Sequence, residues 1–488
     1  LKISFDNSYT RLPDKFFKKS RPTPVKNPKL IAFNSELATE LNISFSDDSV
    51  ESEVCSYFAG NRIVESSEPI SIPYAGHQFG YFVPLLGDGR AILLGEVLAK
   101  NGKRYDVQLK GAGITDFSRR GDGRSAIGPV LREYIVSEFM HKLDVPTTRA
   151  LCAVATGEMV YRDSILPGAV FTRVSESLIR VGTFEYFAHL EDKNSLKILL
   201  DYFLNRHWPH LLETPNPTLG FLSQTIKAQA ELIAQWMSLG FIHGVMNTDN
   251  CSPLGLTIDY GPCAFMDDFS FEKAFSSIDR NKRYAYGQQP KIAYWNLCRL
   301  AEALAPLFDG KPEDITALLM GELSKFQSCF EQSWAHSMGQ KLGFFFDNQS
   351  HLKPSEVLPL IAEWIELLES HKLDFTEAYQ NVNLYFSDEH FCFNGLPNIR
   401  SFLEKVKTLV PPMEKNLRVQ KLKKVNPVFI PRNHLIERAI QDAQNGDFSF
   451  FKEILNCLQN PFEKISTHEN LYQPAMEQEK VQKTFCGT

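Results

Sequence analysis

The sequence predicts an α+β protein of two lobes, an antiparallel-sheet N-lobe and a mainly helical C-lobe, with an N-terminal wrap and a C-terminal helical extension. Three observations carry that prediction. Strand-like runs joined by glycine turns fill the stretch from Tyr81 to Lys110 and return between Thr148 and about Thr172. Helical periodicity dominates after Leu196, most clearly from Ser223 to Leu239. Two short polar loops, His243–Asn250 and Asp259–Gly261, come directly after that helical run.

A chain of 488 residues has room for two or three ordinary domains, or for one catalytic domain with a large helical extension. Its apolar fraction of 43% and charged fraction of 23% belong to a soluble globular protein. A formal charge of -6 argues against a dedicated polyanion binder, and no nucleic-acid partner is expected. No apolar run reaches the roughly 18 residues a membrane span needs, and the stretch Leu1 to Asp6 lacks the charged head and apolar centre of a secretory signal. No membrane partner and a cytoplasmic location are therefore expected. The nine cysteines form no Cys-x-x-Cys pair and no Cys/His ligand spacing, so no structural zinc is expected.

In order along the chain, residues 1–70 mix Pro, Asn, Ser and short apolar runs and are expected to wrap irregularly around the N-lobe. Residues 71–190 are assigned to that lobe, 191–300 to the C-lobe with its two loops, and 301–488 to the helical extension. Within the N-lobe, Tyr81–Leu86 and Arg90–Leu98 read as strands joined by Gly87-Asp88-Gly89. Asn101-Gly102 signals a hairpin, since a two-residue type I′ turn needs positive φ at both positions, and Tyr105–Lys110 completes a three-stranded meander. Ile127, Val130, Leu131, Tyr134, Ile135 and Phe139 recur at helical spacing, with Arg132, Glu133 and Glu138 off that face, which predicts an amphipathic helix. Beyond about Asn281 the chain reads as helical, with a break at Pro411-Pro412.

The polar loops carry the chemistry. A protein-kinase catalytic loop places its proton-accepting Asp two residues after a His and a metal-binding Asn five residues further on. Here the first position is Val245, the second is Asn250, and an extra carboxylate, Asp249, precedes it. Mg²⁺ takes oxygen ligands from one or two side chains plus phosphate, which Asn250 and Asp259 can supply, leaving Asp249 to accept a proton from an attacking hydroxyl. Upstream, Lys110 ends its strand in the Val-x-x-Lys manner, with Glu133 as a candidate helix partner. Gly87, Gly89 and Arg90 can meet phosphate through backbone N–H groups and charge, as can the glycine- and arginine-rich run from Lys110 to Arg124. Arg173 and Arg180 are spaced to reach one polyphosphate. A two-lobed, protein-kinase-like fold is the reading these parts share.

The chain resembles the selenoprotein O family, also called YdiU, of kinase-fold protein adenylyltransferases. The resemblance rests on Tyr74-Ala-Gly-His-Gln-Phe-Gly80, Gln108-Leu-Lys-Gly111, Ser118-Arg-Arg-Gly-Asp-Gly-Arg124, the His243–Asn250 loop and Ile258-Asp-Tyr-Gly-Pro262, and covers most of the chain. It implies ATP inverted in a kinase-like cleft, so that AMP passes to Ser, Thr or Tyr hydroxyls of proteins, self-modification included, and pyrophosphate leaves. It further implies nucleotide contacts from Gly87, Gly89, Arg90, Lys110, Asp122, Gly123, Arg173, Arg180 and Asp259. Asp249 would be the proton acceptor, Asn250 and Asp259 the ligands of Mg²⁺ or Mn²⁺, and Glu133 the residue orienting Lys110. A bacterial host fits the same family.

Family members often carry a selenocysteine or cysteine near the C-terminus, matched here by Cys486, which can pair with a cysteine in the activation segment. That partner position falls near Phe275, and Cys263 is the nearest candidate. Two other functions stay open: a phosphotransferase in which Asp249 replaces the displaced base, and a catalytically silent pseudokinase scaffold that binds nucleotide.

Overall fold

A computed structural model describes residues 1–45, 50–346, 353–387 and 395–485. In chain order its strands are β1 (Lys18–Lys19), β2 (Lys29–Phe33), β3 (Ile70–Ser71), β4 (Gly76–Gln78), β5 (Tyr81–Val83), β6 (Ala91–Leu98), β7 (Arg104–Lys110), β8 (Ser125–Ala126), β9 (Arg149–Tyr161), β10 (Ile165–Ser175), β11 (Phe241–Ile242) and β12 (Ala264–Phe265). Seven of them form one antiparallel sheet in the order β1-β3-β6-β7-β10-β9-β2, with β8 beside β10. The β4–β5 and β11–β12 pairs stand apart from it.

Both faces of that sheet are covered, which explains why β6 is buried along nearly its whole length. Ile92 joins a core with Leu37, Val54, Phe58 and Leu109; its neighbour Leu93 joins a second core with Leu131, Ala153 and Phe171. One step along a strand thus crosses from one core to the other. The first core is capped by α1 (Ser35–Glu40) and α2 (Val50–Phe58). The first 70 residues are therefore more than a wrap, because they supply these helices and both edge strands of the sheet, β1 and β2.

Two local expectations need correction. Tyr81–Val83 does not begin the meander: it pairs with β4, and β3 takes the edge of β6 instead. Apolar alternation identifies a strand and leaves its partner unspecified. The β6–β7 hairpin forms at Asn101-Gly102, but only Gly102 has positive φ, at 77°. The connection is wider than a two-residue turn, closed by Ala99 N–H donating to Lys103 O at 2.9 Å.

The predicted amphipathic helix is α3 (Ile127–Lys142), and it has almost no solvent face, because Arg132, Glu133 and Glu138 are buried with its apolar residues. It packs against β9 and β10 and against α14 (Asn433–Gln444) and α15 (Ser449–Leu458) from the far end of the chain. Each buried charge is paired. Arg132 bonds Glu437 of α14 and donates to Cys263 O at 3.3 Å, while Glu138 accepts from Arg149 Nε at 2.9 Å.

Helices dominate from α4 (Val181–His189) and α5 (Lys193–His207) onward. The longest among the described residues is α6 (Pro217–Ser238), started by Pro217 at its first position and by Asn216, whose side chain accepts from Leu219 N–H at 3.0 Å. After α7 (Gln289–Leu304), eight more α-helices run from Pro312 to Leu458 among the described residues. None of the helices described is long and apolar enough to cross a membrane.

Candidate active site

A cavity of about 780 Å³ lies where the sheet meets the two polar loops. Its wall gathers Gly87, Gly89, Arg90, Lys110, Asp122, Gly123, Arg173, Arg180, Asp249, Asn250 and Asp259. Glu133 stands behind this wall, buried on α3. The N-terminal half thus contributes cations and glycine turns, and the polar loops contribute the facing carboxylates.

The centre of the site is Asp259. Its Oδ1 lies 2.8 Å from Lys110 Nζ and 2.6 Å from Arg173 Nη2, and its Oδ2 lies 2.9 Å from Arg180 Nη1. Lys110 Nζ also meets Glu133 Oε2 at 2.6 Å, and Arg173 Nε donates to Glu133 Oε1 at 3.0 Å. Strand register makes this possible, since Arg173 on β10 sits opposite Gln108 on β7, two residues before Lys110. Burial alone would raise the Asp259 carboxyl, but Arg173, Lys110 and Arg180 hold it well below the usual carboxylate range. Three cations against two carboxylates leave net positive charge at the wall, which suits a polyanion. Asp259 is also held at φ 61°, a costly backbone state for a residue with a side chain.

Asp249 has a different environment. It ends up 8% exposed on a short 3₁₀ turn, Thr248–Asn250, and burial pushes its carboxyl up to about 6 despite the nearby Arg180. Its Oδ1 has no hydrogen-bond partner among the described residues. Arg180 Nη1 donates to its backbone carbonyl at 2.7 Å, so one guanidinium touches both polar loops. Val245 is buried, and His243 is enclosed, stacked on Trp236 with ring centroids 5.2 Å apart and its Nε2 2.9 Å from Ile258 O. Burial lowers the imidazole's pKa, as suits a neutral, orienting ring.

The glycine turns owe their shape to close packing. A Cβ at Gly87 would fall 2.3 Å from the Phe117 ring, and one at Gly123 would fall 2.0 Å from Gly113 O. Gly113 N–H in turn donates to Gly123 O at 3.0 Å, folding the Lys110–Arg124 run into a loop over the cavity. Asp122 spends its carboxylate on Arg162, with both guanidinium nitrogens at 2.9 Å.

For a divalent cation the available donors are hard oxygens. Asn250 Nδ2 donates to Val245 O at 3.1 Å, which commits the amide nitrogen and leaves the amide oxygen as an acceptor. Asp259 supplies a carboxylate. Among the described residues no group of three or more His, Cys, Asp or Glu side chains could hold a metal by itself. One carboxylate and one amide oxygen fit Mg²⁺ or Mn²⁺ only together with phosphate oxygens, the usual arrangement for Mg²⁺.

Cys486 lies outside the described residues. Cys263 is fully buried and burial pushes its thiol up to about 12. Close by, the buried Thr484 donates from Oγ1 to Pro262 O at 2.6 Å and from its N–H to Phe275 O at 2.8 Å, docking the tail beside the second polar loop.

Other residues of the site escaped the reading of the sequence. Asp88, between the two glycines, is buried and pushed up to about 6, and its Oδ2 accepts from Ile72 N–H at 3.1 Å. Tyr74 lies under the Arg180 guanidinium, 4.6 Å from ring centroid to carbon. Tyr74 belongs to the Tyr74–Gly80 segment, whose glycines and aromatics were the one available signal.

Buried cations, glycine turns and a separate buried carboxylate share one cleft, and the comparisons with known proteins place it in a nucleotidyltransferase. The family model described as "Protein adenylyltransferase SelO" matches residues 1–459. The chain is 47% identical to a protein nucleotidyltransferase YdiU of Rhizobium meliloti over 99% of both chains. It is 46% identical to those of Agrobacterium fabrum, covering 100% of both, and of Maridesulfovibrio salexigens, covering 100% of this chain and 98% of the relative. The chain belongs to the SelO family of protein adenylyltransferases.

Proposed function

We propose that the chain transfers AMP from ATP to Ser, Thr or Tyr hydroxyls of proteins, itself included, in a two-lobed kinase-like cleft where ATP lies inverted. The acceptor oxygen attacks the α-phosphorus, the bond from that phosphorus to the bridging oxygen of the β-phosphate breaks, and pyrophosphate departs. The hydroxyl proton goes to Asp249. Lys110, Arg173 and Arg180 compensate the charge of the leaving phosphates, with Gly87, Gly89, Arg90 and the Asp122–Gly123 loop lining their path. Glu133 keeps Lys110 and Arg173 in place. Asn250 and Asp259 would hold Mg²⁺ or Mn²⁺, which supplies positive charge on the phosphate oxygens and aligns them for displacement.

The observation carrying this reading is the contrast between the two polar-loop carboxylates. Asp259 is saturated by cations and stays ionised, whereas Asp249 is buried with one oxygen unpaired, the state of a group able to receive a proton. Val245 stands where a kinase keeps its base, so the base has moved four residues along the loop. ATP labelled separately at the α- and γ-phosphates tests the reading. Protein-bound α label with free labelled pyrophosphate is expected. Protein-bound γ label would make the enzyme a phosphotransferase, and neither label a nucleotide-binding scaffold.

A further inference from the structure

The proposed chemistry leaves the β4–β5 hairpin, the heart of the Tyr74–Gly80 segment, without a task. Yet this hairpin meets three consecutive residues of the loop that carries the proton acceptor, Asn247, Thr248 and Asp249. His77 N–H donates to Thr248 Oγ1 at 2.7 Å, and Phe79 N–H donates to Asn247 Oδ1 at 3.0 Å. Glu185, buried on α4, completes the lock: its Oε2 accepts from the Thr248 hydroxyl and its Oε1 lies 2.6 Å from His77 Nδ1. Tyr284 OH adds a second donor to Asn247 Oδ1 at 2.6 Å.

One feature ties this fit to the carboxylate itself. Gly76 lies in a strand without left-handed φ, so its lack of a side chain is not demanded by the backbone. A Cβ there would instead fall 2.6 Å from Asp249 Oδ1 and 3.0 Å from its Cγ. At the tip, Phe79 (φ 52°) and Gly80 (φ 92°) form the two-residue turn between the paired Gln78 and Tyr81, a turn that needs positive φ at both positions. The Phe79 N–H bond to Asn247 and a ring contact to Tyr284 with centroids 5.2 Å apart anchor that tip to the loop.

We propose that the β4–β5 hairpin is the positioning clamp of Asp249: Gly76 sets the depth of the carboxylate, and the His77–Glu185–Thr248 lock fixes the turn that bears it. The proposal rests on Asp249 being the proton acceptor. The bonds of the clamp run to Asn247 and Thr248, and the turn reaches the cluster around Asp259 through the Arg180 bond to Asp249 O, so the larger effect is expected on the transfer step and the smaller on nucleotide binding.

The test is steady-state transfer of α-labelled AMP by the full chain carrying G76A, T248V or D249N, with melting temperature and ATP affinity measured alongside. G76A is expected to lower kcat by about 10- to 100-fold, the scale of a 1 Å misplacement. T248V is expected to lower it by roughly tenfold, and in both the KM for ATP stays within about twofold of wild type. Should G76A fail to fold, T248V decides. Wild-type kcat in the folded variants, or a KM for ATP that rises as kcat falls, overturns the clamp. The D249N arm separates the two ideas. Inactive D249N beside fully active G76A and T248V sinks the clamp alone, while active D249N sinks the base assignment and the clamp with it.

Discussion

The Arg173 guanidinium is held 2.6 Å from the Asp259 carboxylate across 86 positions of sequence, and it is 1% exposed. A buried cation of this kind depends on its counterions, because removing one partner of a buried pair leaves an uncompensated charge costing about 3–5 kcal/mol. Asp259 and Glu133 share that duty for Arg173 and Lys110. The site is thus one electrostatic unit whose buried cations and carboxylates depend on one another.

Asp259→Ala should therefore do two things at once. It should abolish metal-dependent transfer, since the proposed charged ligand is lost, and it should lower the melting temperature, since three cations lose a shared carboxylate. Asp249→Ala removes a carboxylate that is already costly to bury, so transfer should fall by about 100-fold or more with ATP affinity and melting temperature close to wild type. Calorimetric ATP titration and thermal melts of both variants check this; equal loss of affinity in the two would contradict the roles assigned.

Glu133→Gln is expected to act on the substrate side. With one negative charge gone behind Lys110 and Arg173, both cations lose a fixed direction, and the KM for ATP should rise about tenfold with a smaller change in kcat. Steady-state kinetics on Glu133→Gln, with Glu138→Gln on the same helix as a control for simple destabilisation, measures it.

Much of this unit was legible before the structure. Lys110, Glu133, Asn250, Asp249 and Asp259 stand at spacings that chemistry restricts, so the sequence alone could group them. The sequence could not show that α3 is enclosed, because periodicity reports the apolar face and the charges on the others were matched by residues far away: Arg132 by Glu437, 305 positions on. The run from Tyr81 was read as part of the sheet for a similar reason, since alternation is the same whichever strand lies alongside. Asp88 was hidden inside what looked like a plain glycine turn.

Cys263 should behave as an inert core thiol. Its burial and high pKa predict that alkylation of the native chain labels Cys298 and Cys329, which are partly exposed, well before Cys263. Thr484 docks the tail only two residues before Cys486, yet a disulfide to Cys263 would require that thiol to emerge first. Mass mapping of partly alkylated protein, and a non-reducing peptide map after oxidation, should show late labelling of Cys263 and no Cys263–Cys486 peptide.

Lys341 gives the helical region a pH signature. It is 4% exposed, its Nζ sits 4.4 Å from the Tyr379 ring centroid and donates only weakly to Val425 O at 3.4 Å, and among the described residues no carboxylate pairs with it. Burial lowers its pKa from 10.5 to about 7. Because the folded pKa lies below the unfolded one, the unfolded chain binds more protons between those values, and stability rises with pH across that window. Below about pH 7 the native state carries the buried charge and the full penalty applies; toward pH 10.5 the penalty vanishes. Lys341→Met should therefore raise the melting temperature by about 2–4 °C near pH 6 and by clearly less near pH 10. Paired thermal melts at the two pH values read the difference directly. An equal gain at both would mean that methionine merely packs better, and that the buried ammonium costs the fold nothing.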